Sequence, residues 1–281
     1  MPRRLLAILA ISAILVTACS GGAAATPALT DPKLILTDSA SSLQKLKSVH
    51  FNIAVAGSLN AGDLTGGSAE ASPAPGASPV MLDLSGTTIS GDIDLADSSG
   101  QVAVSVPALL AFSANAVVVG GIAYVKTSLG DTKFAKVDLS SLAGSLPIPS
   151  LPAIGSPDPS ATSAMVAAID AELAKLPAPT KLADETVNNQ DCYHVQEILN
   201  SSDFPGAGSV LNGASGTLTV DLWAQKSDLR PSRLVIVIDG GTSGKLTLTV
   251  DLTNYDGAVT IAAPPADQIS DQPFSLPGLT P

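Results

Sequence analysis

Aromatic side chains are scarce in this chain of 281 residues: five Phe, three Tyr and one Trp, 3% in all. That excludes a core built on rings. The 45% of residues that are hydrophobic must fill the interior mainly as Val, Leu, Ile and Ala. Cysteine is scarcer still. Cys19 and Cys192 allow one disulfide at most, and none if Cys19 is committed to other chemistry, so stability must come from packing. Basic residues are outnumbered, with 14 Lys and Arg against 25 Asp and Glu. Such a chain has no electrostatic footprint for nucleic acid and no attraction to an anionic bilayer surface. There are two histidines, and neither H-E-x-x-H nor C-x-x-C spacing occurs. The serines lack a nucleophile-elbow pattern, and the glycine-rich stretches end strands at turns where a phosphate cradle would open a helix. No catalytic residue, metal or cofactor is expected, and the chain does not read as an enzyme.

What the N-terminus contains is more specific. Arg3 and Arg4 precede an uncharged apolar run from Leu5 to Val16, of secretory-signal length and too short for a permanent span. It leads into Val16-Thr17-Ala18-Cys19, an aliphatic residue three before a cysteine and a small one directly before it. This resembles the lipobox of lipoprotein signal peptidase. The expectation is a signal peptide over 1–18, a diacylglyceryl lipid on Cys19, and a small-residue tether over 19–32. Loss of Arg3 and Arg4 takes the formal net charge from −11 to −13. Attachment to the membrane must then come from the lipid, on the extracytoplasmic face. Beyond this leader no apolar run approaches transmembrane length.

Strict alternation dominates the rest. Phe51, Ile53 and Val55 alternate with Asn52 and Ala54; Ile89, Ile93 and Leu95 with Ser90, Asp92 and Asp94. Val102, Val104 and Val106 follow, then Leu218, Val220 and Leu222, and finally Leu246, Leu248, Val250 and Leu252. Fuller apolar runs lie at 117–119, 122–125 and 234–238. Turn residues such as Gly120-Gly121 and Asp239-Gly240-Gly241 separate them. The pattern predicts an antiparallel meander of about ten strands with one dry face.

Two helices are expected. Asp31-Pro32 is an N-cap with proline at the first helical position, followed by Leu36, Leu43 and Leu46 as far as about Lys47. Asp158-Pro159 repeats the device before Met165, Ile169, Leu173 and Leu176, and Pro177 stops it. A third, short helix over 202–212 is weakened by Pro205, Gly206 and Gly208. Residues 61–79 read as a long loop rich in small residues and proline. Residues 142–157, with Pro147, Pro149, Pro152 and Pro157, read as an extended connection. The Pro-rich stretch 263–281 should trail off a domain spanning 33–262.

The fold class is therefore α+β: a strongly curved antiparallel sheet, a half-barrel, with two or three helices on its concave face. Those helices either seal a solid core or roof a space. The shortage of rings favours space, because small branched side chains line a cavity well and fill one badly.

The order of elements resembles the actinobacterial LppX/LprG lipoproteins. The matching segments are 40–51 (ASSLQKLKSVHF), Ile122-Ala123-Tyr124-Val125-Lys126, Leu222-Trp223, 233–238 (RLVIVI) and 254–261 (NYDGAVTI). They follow the family's order over nearly all of the mature chain. The resemblance implies a half-barrel related in shape to periplasmic lipoprotein carriers, with a cavity that holds acyl chains of envelope lipids or lipoglycans. The expected function is binding such a chain and carrying the lipid across the envelope. A membrane exporter is a candidate partner. A scaffold lipoprotein with a solid core is the alternative. The residues expected to line the cavity are Val102, Val104, Val117 and Val119 from strands, opposed by Met165, Ile169 and Leu173 from the second helix. His50, His194, Cys192 and Trp223 read as structural, and Asp92, Asp94, Asp184 and Glu185 as solvated.

Overall fold

Val, Ile and Thr recur through the chain, and β-branched residues suit a pleated backbone better than a helical turn. The computed structural model describes residues 29–60, 80–130, 132–139, 177–200 and 216–273. The strands among them form one curved, non-closed sheet of fourteen. They are β1 (Ser48–Asn60), β2 (Met81–Asp83), β3 (Thr87–Asp94), β4 (Ser99–Val106), β5 (Phe112–Val119), β6 (Ile122–Thr127) and β7 (Phe134–Asp138) in the first part. The second part supplies β8 (Thr180–Lys181), β9 (Glu185–Val187), β10 (Gln190–Asn200), β11 (Thr217–Gln225), β12 (Pro231–Asp239), β13 (Gly244–Thr253) and β14 (Ile269–Pro273). Across the sheet the order is β14-β7-β6-β5-β4-β3-β1-β13-β12-β11-β10-β8, with β2 also on β1 and β9 also on β10.

Fourteen strands replace the ten expected. β2, β8, β9 and β14 have two to five residues each, too few for alternation to stand out. The ladder is antiparallel except where β14 runs parallel to β7. Part of the segment expected to trail away therefore covers the β7 edge. The Gly120-Gly121 turn behaves as read: φ values of 59° and 76° form the two-residue hairpin between β5 and β6 that side chains with a Cβ resist.

One α-helix, α1 (Pro32–Leu43), lies among the described residues. Asp31 caps it by accepting from the backbone N–H of Lys33 and Leu34, which stabilises a helix start by about 1 kcal/mol. The helix stops four residues short of Lys47, and its buried stripe runs through Ile35 and Ser39 with Leu43 left exposed. Near its end the Ser41 and Ser42 hydroxyls donate to the carbonyls of Thr37 and Ser39, a competition with the backbone that disfavours helix. The helices expected over 158–176 and 202–212, and the loops over 61–79 and 142–157, lie outside the described residues.

α1 contacts β10 and β11. There the core is densest: Ile35, Tyr193, Val195, Leu222 and Ala224 are all buried. A second knot ties the start of β1 to the end of β13. Asp256 accepts from the Lys47 backbone N–H and from Arg230 Nη2, while Ser48 Oγ donates to the Gly257 carbonyl.

Candidate functional site

Directly opposed residues of an antiparallel pair point to the same side, so register gives each strand residue a face. From Ile53 the partners run through Val250, Leu234, Leu222 and Val195 in one direction. In the other direction they run through Ile89, Val104 and Ala114. Eight strands thus contribute one continuous apolar row. Beside it lies a row of Val55, Leu248, Ile236, Val220 and, at its end, Glu197. On the other flank Phe51 sits between Leu252 and Gly91, and the row continues through Val102 and Ala116.

Burial along these rows is graded. Val195 and Leu222 are buried where α1 crosses, whereas Ile53, Ile89, Val104, Leu234 and Val250 are half-buried. Burying such side chains completely is worth about 1.5–3 kcal/mol each, so the middle of the face retains unused capacity for apolar contact. Glu197 stands out in this setting. Its register partner, Val220, is apolar, and burial alone pushes its carboxyl above the usual carboxylate range.

Two of the four expected strand residues, Val102 and Val104, share this apolar face. Val117 and Val119 do not. Val117 is opposite Gln101, and Val119 shares its parity, so both lie on the polar side; Ala114, Ala116 and Val118 hold the apolar positions of β5. Three consecutive valines carry no alternation, so the sequence alone does not say which of them share the apolar face. Met165, Ile169, Leu173 and Cys19 lie outside the described residues.

The opposite face is polar and well bonded. His50 Nδ1 stands 2.8 Å from Asp92 Oδ1, and Gln101 Nε2 donates to Asp92 Oδ2 at 2.8 Å. The Gln101 bond, helped by His50, holds the Asp92 carboxyl below its ordinary range. These groups border a hollow of about 320 Å³ that Val117 and Phe134 also line. Further along, His194 Nε2 lies 2.8 Å from Asp221 Oδ1, and its ring stacks on Trp223 at 4.1 Å. Trp223 Nε1 donates to Glu185. Asp184 pairs with Lys181 and Lys226. Residues that read as solvated are thus bonded, and Trp223 packs against a histidine on the polar side. Cys192 is fully buried, and burial pushes its thiol up. Among the described residues no group of His, Cys, Asp and Glu is arranged to hold a metal.

Glu197 is absent from the residues expected above, although the sequence carries a signal for it. It takes an inward turn in the alternation Val195, Glu197, Leu199. A charged residue at such a position asks for an explanation.

The family model described as LppX_LprAFG lipoprotein matches residues 31–261. No curated protein matches. Among solved structures, the Mycobacterium tuberculosis lipoprotein LppX is 13% identical, with a TM-score of 0.47 over 82% of this chain and 98% of its own. LprF from Mycobacterium bovis is 17% identical, with a TM-score of 0.47 over 83% and 96%. A LolA superfamily protein from Nitrosomonas europaea is 12% identical, with a TM-score of 0.26 over 83% and 96%. Among the described residues no helix is long and apolar enough to cross a membrane.

Proposed function

We propose that this chain, which belongs to the LppX_LprAFG lipoprotein family, binds acyl chains of a lipid or lipoglycan against its apolar face and carries the lipid across the cell envelope. The observation that carries this reading is the row from Val195 to Ala114, apolar over eight strands and half-buried along its middle. An acyl chain laid across it gains about 0.8 kcal/mol for each methylene removed from water, with little demand for polar contacts. Val102 and Val104 belong to that contact surface, with Met165, Ile169 and Leu173 proposed to face it. A diacylglyceryl group on Cys19 would hold the protein at the outer side of the membrane, where two acyl chains suffice for stable attachment. No catalytic step is assigned.

The test is extraction of the purified lipoprotein followed by mass spectrometry, and titration of the delipidated protein with a fluorescent fatty-acyl probe. Co-purified lipid and saturable uptake, in addition to the lipid on Cys19, are expected. A protein that arrives empty and takes up no probe would instead be a scaffold with a solid core.

A further inference from the structure

One end of the sheet is edged with exposed leucine. The β4–β5 hairpin tip, residues 107–111, presents Leu109 at 48% and Leu110 at 92% exposure, and the neighbouring β6–β7 tip presents Leu129 at 53%. The tips are joined: the Ser128 N–H donates to the Ser113 carbonyl, and the Ser113 N–H to Ser128 Oγ. On the other flank a Cβ at Gly86 would stand 3.8 Å from Pro107 Cγ, bringing the β2–β3 turn alongside. Beyond that turn Val80 and Met81 are exposed as well. Leu110 and Ala111 hold φ values of 52° and 55°, a left-handed backbone that is costly for residues with a Cβ. That conformation keeps a leucine in water where glycine or asparagine would fit without strain.

We infer that this leucine-edged rim, Leu109, Leu110 and Leu129, inserts into the surface of a lipid bilayer. Three features select a bilayer over a protein partner. Residues 107–111 carry no charge, and the 128–133 connection carries one charge of each sign, Asp131 and Lys133, in a chain whose formal net charge is −11, so these tips can approach lipid that repels the rest of the molecule. The tips contain neither an aromatic residue nor arginine, the side chains that dominate protein–protein contacts, where leucine is under-represented. Cys19 stands twelve residues before Asp31, a span of at most roughly 40 Å when extended, so a lipid there keeps the domain within reach of the membrane. The inference goes beyond the carrier reading and does not depend on it, since rim insertion is measured without reference to any bound ligand.

The experiment uses the acylated lipoprotein in phosphatidylcholine vesicles, with an environment-sensitive fluorophore on Leu110→Cys, on Leu129→Cys or, as control, on Leu95→Cys. Cys192 is fully buried and stays unlabelled, while Leu95 is exposed in the β3–β4 turn, at the opposite end of the strands from the rim. At Leu110 and Leu129 the emission should shift to the blue and lose intensity to brominated acyl chains; at Leu95 it should do neither. Leu109→Asp with Leu110→Asp should return the Leu129 probe to the emission it has in water. A Leu110 probe as aqueous as the Leu95 probe overturns the inference. So does a blue shift that survives without vesicles and grows with protein concentration, which would assign the rim to a second copy of the chain. Both tips are exposed, so the fold is expected to tolerate these changes, and far-UV circular dichroism of each variant checks it.

Discussion

The ring of Phe51 lies over Gly91 on the adjoining strand, so that a Cβ on the glycine would come within 2.9 Å of Phe51 Cζ and 2.0 Å of the Gln101 carbonyl oxygen. The close approach lets one of five phenylalanines lie flat against the sheet. Gly91→Ala should therefore destabilise by about 1–3 kcal/mol, the usual range for overpacking. A lowered urea midpoint with unchanged slope would show it, and an unchanged midpoint would mean that the ring does not hold this position.

Val104 and Val117 belong to neighbouring strands and opposite faces. Val104→Trp should block uptake of the acyl probe while leaving the fold intact, and Val117→Trp should leave uptake as it was. Equal loss in both variants would break the assignment of the apolar face as the binding surface.

Glu197 sets a pH dependence whose sign is opposite to that of a paired carboxylate. Burial raises its folded value above the ordinary 4.5, so the folded protein holds the proton more tightly than the unfolded chain. Stability from this residue is fully present below about 4.5 and falls as pH rises through the raised value. Glu197→Gln should melt higher than the parent at pH 7, and the two melting curves should converge below pH 4.5. A gap that persists in acid would point to a packing effect.

The single tryptophan reports on the polar cluster. His194→Ala removes the ring stacked on Trp223 and leaves Asp221 buried without its imidazole. Fluorescence should rise and shift to the red. Stability should drop by about 1.5–3 kcal/mol, the worth of a hydrogen bond to a charged group, with Asp221 still accepting from the Gln196 amide. Unaltered emission would separate the two rings in solution.

Cys19→Ala should abolish lipid attachment. In fractionated cells the protein should leave the detergent phase for the aqueous phase, checked by Triton X-114 partitioning. Retention in the detergent phase would require a different anchor.

The long strands were legible because Thr and Asp alternate with Leu and Val over whole elements, as from Leu246 to Leu252, where the dry face can be read directly. The N-cap at Asp31 was equally plain. Faces became unreadable where every residue is apolar, at 117–119, and short strands such as Thr180–Lys181 leave no period to detect. The bonded state of Asp92 and Asp184 was hidden for another reason. Their partners His50 and Gln101, Lys181 and Lys226 mostly come from other strands, and sequence distance says nothing about cross-strand neighbours. The leucines of the β4–β5 tip are not legible as a surface feature, because Pro-Ala-Leu-Leu-Ala reads as apolar filler until its backbone turns them outward.

The two outermost strands have a bearing on how many copies can crowd together on one surface. β8 is only two residues long and contains Lys181, and β14 ends in Pro273, which has no N–H to offer. An open sheet normally invites a neighbour to zip onto its free margin and seed a fibril. Here each margin is a poor template, so densely packed molecules can remain separate without closing the sheet into a ring.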